Sequence, residues 1–218
     1  MFSLLVLLKK EAEAVQECGH IVRLAVIADE DSLSLPSEPI FADILISLGD
    51  IHPVTIERAA DFFMPERVLA VRGNHDSSCV PLPRWVEFMH GRTVEAFGFR
   101  FGGIDGCWRY KKTGSFLFTQ EEARTVMQTI PPVDVLISHN SPASYHERDR
   151  GSHQGFEAIT EYIDRYTPTL VLHGHQHINA QIRRGTTLIA GVWGWVMFEL
   201  KGSRESGLSI TSLISNMV

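Results

Sequence analysis

Cysteine is scarce in this 218-residue chain. Cys18, Cys79 and Cys107 are odd in number and form no C-x-x-C pair. That argues against a disulfide framework or a zinc knuckle and fits reduced thiols in a cytoplasmic protein. Long apolar runs are also missing. Residues 1–8 are apolar, but a span needs about 20 such residues. Lys9 and Lys10 follow that run, the reverse of a secretory signal, and charge interrupts the nominal cleavage site at Ala12-Glu13-Ala14. No export signal and no membrane segment are expected, and the expected localisation is cytoplasmic. Positive charge is in short supply as well. The net charge is −6, whereas surfaces that grip duplex phosphates are usually basic. This weighs against a nucleic-acid partner, although a local basic groove is compatible with the total. Repeats and low-complexity tracts are absent. What is present is ordinary globular usage, 44% hydrophobic and 21% charged, enough for one sizeable domain with a large core.

Five short, β-branched apolar runs stand out: residues 23–28 (RLAVIA), 43–48 (DILISL), 67–72 (RVLAVR), 134–138 (DVLIS) and 169–173 (TLVLH). Nearly continuous runs of this length are what strands covered on both faces look like. Between them lie segments of helical habit, notably 119–130 and 155–166. Thr119 followed by Glu122 is a capping-box start, and Pro131-Pro132 stops that helix. Glu57, Arg58 and Asp61 read as a solvated helix face. The alternation predicts an α/β fold. Residues 92–105, with Gly98 in the middle, predict a hairpin. Residues 180–184, 186–190, 195–200 and 208–213 predict a β-rich end, joining one composite sheet or forming two packed face to face.

The polar residues fall where the strands end. Asp29, Asp50, Asn74, His139 and His175 each follow one of the five runs. Ligands of open α/β sheets gather outside the carboxyl ends of strands, so these residues can converge on one rim. Carboxylate, amide oxygen and imidazole suit Mn, Fe or Zn rather than a thiolate-selected metal. The glycines beside them, Gly49, Gly73 and Gly174, allow turns pressed close to the site.

Taken in order, Ala28-Asp29-Glu30-Asp31, Gly49-Asp50, Gly73-Asn74-His75-Asp76, Ser138-His139-Asn140 and Gly174-His175-Gln176-His177 resemble the calcineurin-like metallophosphoesterase family. Its signature reads D-x-H, G-D, G-N-H-D/E, H and G-H-x-H. Gly102-Gly103 followed by Trp108-Arg109-Tyr110 is similar to a stretch in small bacterial members. The resemblance implies a four-layer αββα sandwich of two mixed β-sheets flanked by helices, over residues 23–218, after an N-terminal extension at residues 1–22 of helical habit. That extension would pack on the domain or on a second subunit of a homo-oligomer, unless the start codon is misassigned.

The resemblance also implies two divalent ions, Mn2+ first, with Fe, Mg2+ or Zn2+ as alternatives. Asp29, Asp50 and His177 would bind one ion. Asp50 would bridge to the second, held also by Asn74, His139 and His175. The chain departs from the pattern at Asp31, which stands where the family has His; retained ligation there adds one negative charge, and the alternative is that Asp31 is too short to reach and the first ion binds weakly. His75 would protonate the leaving oxygen, with Asp76 or Asp50 holding its ring. The implied activity is hydrolysis of a small phosphorylated substrate, a phosphodiester before a monoester, by metal-activated water. A nuclease of the same fold and a non-catalytic interaction scaffold are the alternatives. Arg109 reads either as a bidentate phosphate ligand or as half of a surface ion pair. His20, His52, His90, His146 and His153 match no motif position; His52 and His153 could approach the site, with solvent exposure the first expectation. Trp193 and Trp195 are expected in the core or at a sheet edge, and Lys111-Lys112 is too short for a nucleic-acid patch.

Overall fold

The structure, a computed structural model, describes residues 21–149, 151–203 and 207–215. The expected helical extension and Cys18 therefore lie outside the described residues, except that Ile21 and Val22 already belong to the first strand. Among the described residues fourteen strands and three helices follow in the order β1 (Ile21–Ala28), β2 (Ile44–Ser47), α1 (Pro53–Phe63), β3 (Arg67–Ala70), β4 (Val86–Phe88), β5 (Arg92–Ala96), β6 (Phe99–Ile104), β7 (Cys107–Trp108), β8 (Leu117–Phe118), α2 (Gln120–Met127), β9 (Val135–Ser138), α3 (Glu157–Tyr166), β10 (Leu170–His173), β11 (Ala180–Arg184), β12 (Thr187–Gly191), β13 (Gly194–Ser203) and β14 (Gly207–Ser215).

They form two six-stranded mixed sheets, ordered β14-β13-β1-β2-β3-β4 and β11-β12-β10-β9-β6-β5, beside a small β7-β8 pair. In the first sheet β1 to β4 run parallel and β13 lies antiparallel to β1. In the second, β6, β9, β10 and β12 are parallel, with antiparallel β5 and β11 at the edges.

Successive strand residues point to opposite faces, and this accounts for the continuous apolar runs. Leu24 and Val26, Ile44 and Ile46, Val135 and Ile137, and Leu170 and Leu172 fill the space between the sheets. Their neighbours Ala25, Ile27 and Leu45 pack outward with Ile56, Ala59 and Phe63 of α1. Leu136 and Val171 pack outward with Ala123, Met127, Ile159 and Ile163 of α2 and α3. The layers are thus helix, sheet, sheet, helix, the αββα sandwich implied by the resemblance. The parallel strands β1, β2, β3, β9, β10 and β12 are covered twice, which a half-exposed alternating strand is not.

Local signals hold where they were specific. Thr119 accepts from Glu122 N and the Glu122 carboxylate takes Thr119 N–H, a complete capping box. Gly98, at φ 80°, turns the β5-β6 hairpin. Pro53 opens α1, whose N-cap His52 accepts from Val54 N, and Glu57, Arg58 and Asp61 lie on its exposed face. Trp195 is buried, whereas Trp193 is 41% exposed.

Candidate metal centre

The carboxyl ends of β1, β2, β3, β9 and β10 meet on one rim. At that rim the backbone turns sharply. Asp29, Asp50, His175 and His177 all take left-handed conformations, with φ of 60°, 53°, 64° and 50°. Such dihedrals are uncommon outside glycine and gather at functional sites. The glycines permit the crowding. A Cβ on Gly49, itself at φ 94°, would overlap the Gly73 backbone, and one on Gly73 would fall on the Asp50 carboxylate and 2.6 Å from His139 Cε1.

Ligand atoms of Asp29, Asp50 and His139 lie within 4.8 Å of one another. His139 is fully buried. Its Nδ1 faces Leu48 O at 2.9 Å, and its Nε2 faces Asn74 Oδ1 at 3.1 Å and Asp50 Oδ2 at 3.3 Å. A carbonyl can only accept, so Nδ1 carries a proton in either charge state, and loss of the second proton would present the Nε2 lone pair to the centre. His175, whose ring centroid is 5.0 Å from that of His139, is fixed the opposite way round. Its Nε2 donates to Ser152 O at 2.9 Å, which leaves Nδ1 as the lone pair. Anchoring one ring nitrogen on a backbone carbonyl is how metal-binding histidines are usually oriented.

Asp29 supplies the test of fit. Its Oδ2 accepts from His175 N at 2.7 Å. Its Oδ1 is buried with no hydrogen-bond partner, and His177 Nε2 stands 3.8 Å away. A buried carboxylate oxygen without a donor is expensive unless a cation compensates it. On the protein's own charges, burial pushes Asp29 up to about 7 against the attraction of His139. Burial also acts on Asp50, but the attraction and hydrogen bond of His139 outweigh it and hold that carboxyl down to about 2. His139 shows the converse: burial opposes its charge, yet Asp50 and Asp29 together raise it to about 9. The protonated imidazole thus occupies the electrostatic place of a cation between two carboxylates. The donor set fits a divalent ion.

The remaining expected residues border this core. Asn74 is buried. His177 is half-exposed, and His75 is exposed. Asp31 Oδ1 accepts from His52 N at 2.8 Å, at the start of α1. A groove of about 200 Å³ runs along Asp31, Asp50, His52, His75 and Asp76. The expected hold on the His75 ring takes another form. Asp50 Oδ1 accepts from His75 N at 2.7 Å. Asp76 Oδ2 accepts from Gly73 N at 2.7 Å and Asp50 N at 3.0 Å. Asp76 Oδ2 thus braces the β2 and β3 turns against each other through main-chain donors, while Asp50 keeps Oδ2 for the centre, 3.3 Å from His139 Nε2.

The sequence pattern described as the calcineurin-like phosphoesterase superfamily domain matches residues 36–198. The chain belongs to that superfamily. No curated protein sequence matches it. Among solved structures, the chain is similar to TT1561 of Thermus thermophilus, with a TM-score of 0.56 and 12% identity over 88% of this chain and 99% of that one. A candidate 5′-nucleotidase from Staphylococcus aureus gives 0.55 and 13% identity over 88% of this chain and 53% of that one. The phosphopantetheinyl hydrolase of Mycobacterium tuberculosis gives 0.52 and 14% over 78% and 89%. At such identities these likenesses concern the fold.

In this calcineurin-like phosphoesterase the matched stretch begins after Asp29 and Asp31, so the block in which Asp31 departs from the pattern lies ahead of it. Of the two readings of Arg109, the structure records the ion pair: its guanidinium contacts Glu122 at 2.9 Å and Leu117 O at 3.0 Å. His153 is not the surface histidine its sequence position suggested. Its side chain is only 19% exposed, Asp149 Oδ2 lies 2.7 Å from Nδ1, and its ring centroid is 5.1 Å from that of His175. Sequence reasoning also passed over Gln176. Buried between His175 and His177, it bonds Ser141 Oγ and His153 O, and accepts from Arg148 N. Its position inside G-H-x-H was the available signal. His52 is exposed as expected, while His146 is half-buried against His173, its Nδ1 2.9 Å from the His173 Nε2. No helix among the described residues is long and apolar enough to cross a membrane.

Proposed function

We propose that this chain hydrolyses small phosphate esters, phosphodiesters before monoesters, with two divalent ions, Mn2+ first, held by Asp29, Asp31, Asp50, Asn74, His139, His175 and His177. The observation that carries the reading is the buried, unpartnered Asp29 Oδ1 beside Asp50 and His139. Divalent ions there supply a nucleophile at neutral pH, by bringing the pKa of bound water from 15.7 towards about 7, and stabilise charge on the phosphoryl oxygens.

The chain's own groups do the rest. Leu48 O and Ser152 O hold the two imidazoles in the tautomers that face the centre. Asp76 keeps the β2 and β3 turns in register, so Asp50 and Asn74 are preorganised rather than recruited. His75, exposed on the groove and fixed through its main chain to Asp50, is the group from which the leaving oxygen takes its proton. Among the described residues no arginine or lysine lines that groove, which suits an ester substituent better than a second phosphate or a nucleic-acid backbone. Among the described residues no inserted subdomain closes over it, and this favours the diester.

The test is hydrolysis of bis-p-nitrophenyl phosphate and p-nitrophenyl phosphate by the Mn2+-loaded chain. Faster turnover of the diester is the expected result. Manganese bound with no turnover of either ester would overturn the enzymatic reading and favour a scaffold. Turnover confined to the monoester would overturn the diester preference.

A further inference from the structure

The groove that holds Asp50 and His75 is not polar throughout. Ile51, Pro53 and Val80 line it as well. Ile51 is buried in the core that packs on α1, and Pro53 opens that helix, whose first turn Asp31 ties down through His52 N at 2.8 Å. This part of the wall therefore belongs to the rigid frame of the first sheet.

Val80 comes from elsewhere. It is 40% exposed, on a stretch after Asp76 that has neither helix nor strand. Such segments are ordinarily the mobile parts of a fold, but this one is clamped. Arg72 Nη1 donates to Ser77 O at 2.5 Å and Nη2 to Val80 O at 2.9 Å, while Val80 N donates to Ser77 O at 3.3 Å. The same guanidinium rests over the Phe116 and Phe88 rings, 5.4 and 5.9 Å from their centroids. Arg72 N donates to the buried Asp105 carboxylate at 3.0 Å. Because Arg72 directly precedes Gly73-Asn74-His75-Asp76, one residue fixes both the turn that carries His75 and the loop that brings Val80 to the same groove.

The charged acceptors in that groove are the carboxylates of Asp31, Asp50 and Asp76, which repel a second anionic group on a substrate. The apolar side chains have no such objection to a hydrocarbon. The groove measures about 200 Å³, and roughly 150 Å³ of apolar cavity is enough for benzene, so one ring fits.

We propose that the substrate's leaving portion is a small apolar group, a single aromatic ring or a branched alkyl of that size, packed on Ile51, Pro53 and Val80 beside His75. Val80 sets the preference, and Arg72 is its positioning residue. The assignment rests on the phosphoesterase reading and adds to it the chemical class of the ester.

The test is calorimetric binding of methylphosphonate and phenylphosphonate to the full Mn2+-loaded chain, with manganese content measured beside it. The two ligands share an anionic head and differ in the group offered to Val80. The wild type should bind phenylphosphonate about tenfold more tightly. Val80→Thr, which exchanges one methyl for a hydroxyl, should cut that preference about threefold, and Val80→Asn should abolish it. Both variants should keep manganese and their affinity for methylphosphonate. Arg72→Met should lower the preference too, with partial recovery in Arg72→Lys, which keeps a donor for one of the two carbonyls. Equal affinities in the wild type would overturn the assignment, and so would a preference that survives Val80→Asn. Loss of manganese, or of both ligands alike, in the Val80 variants would overturn it as well. Equal loss of both ligands in Arg72→Met would overturn its positioning role. If the wild type shows the preference but hydrolyses neither nitrophenyl ester, the phosphoesterase reading fails and the apolar subsite stands. If it hydrolyses bis-p-nitrophenyl phosphate without the preference, the subsite fails and the reading stands. A chain that binds neither phosphonate overturns both.

Discussion

The main-chain N–H of His175 donates to Asp29 Oδ2 at 2.7 Å across 146 positions of sequence. That bond ties the end of β10 to the end of β1 and so joins the two sheets at the site. It also commits one oxygen of Asp29 and leaves the other buried without a donor.

Asp29 thus carries an electrostatic penalty in the metal-free protein that a bound ion would relieve. Asparagine tolerates the left-handed backbone at position 29 and keeps an oxygen for His175 N, but it removes the charge. Asp29→Asn is expected to melt, without metal, no lower than the wild type. With Mn2+ at about 100 times its Kd the wild type should gain about 2.7 kcal/mol, and the variant should gain little. Thermal melts with and without Mn2+, read beside elemental analysis, check both halves. A full manganese-induced shift in the variant would show that Asp29 is not a ligand.

Asp31 has two oxygens and spends one of them. Oδ1 holds His52 N at the start of α1, and the other is available to an ion. Asp31→Ala is expected to lower bound manganese from about two ions per chain towards one and to cut kcat/KM. Asp31→Asn keeps an acceptor for His52 N and separates the capping role from ligation. If both variants retain the wild-type metal content, Asp31 serves only the helix.

His75 is attached to the site by its main chain, and its ring is free to approach a leaving group. His75→Ala should therefore bind manganese as the wild type does and turn over about 10²–10⁴-fold more slowly, the usual size of a general-acid contribution. Substrates with better leaving groups need less protonation, so the deficit should shrink from phenyl to p-nitrophenyl esters. An unchanged rate with the phenyl ester would remove His75 from the reaction.

Sequence carried the central strands well because β1, β2, β3, β9 and β10 are buried on both faces. Leu24 and Val26 serve the inter-sheet core while Ala25 and Ile27 serve α1, so the run reads as continuously apolar. Thr119 with Glu122, and Gly98, were legible for a different reason: cap and turn are settled within a few residues. The rim was legible as strand ends. What could not be read is whatever depends on main-chain atoms, since every residue has the same carbonyl. Nothing marks Leu48 O as the anchor of His139 or Ser152 O as the anchor of His175. Nor does spacing reveal that Asp76 Oδ2 takes the N–H groups of Gly73 and Asp50. Exposure was the first expectation for His153, and approach to the site the second, because only the packed loop brings it against His175.

The tight contact between Gly73 and its neighbours gives the sharpest separation of site from stability. A Cβ at Gly73 would fall on the Asp50 carboxylate and 2.6 Å from His139 Cε1, so Gly73→Ala must displace two candidate ligands. Overpacking of this kind costs about 1–3 kcal/mol, and here the displaced atoms are those that face the ion. Gly185 provides the comparison. It sits at φ 59° with nothing within 4 Å of an added Cβ, so Gly185→Ala costs about 1–2 kcal/mol of backbone strain at the β11-β12 turn. The two variants should lose similar stability in urea, and only Gly73→Ala should lose manganese. If Gly185→Ala sheds metal to the same extent, binding follows global stability rather than the packing of the β2 and β3 turns. If Gly73→Ala keeps its manganese, Asp50 and His139 are not where the ion is held.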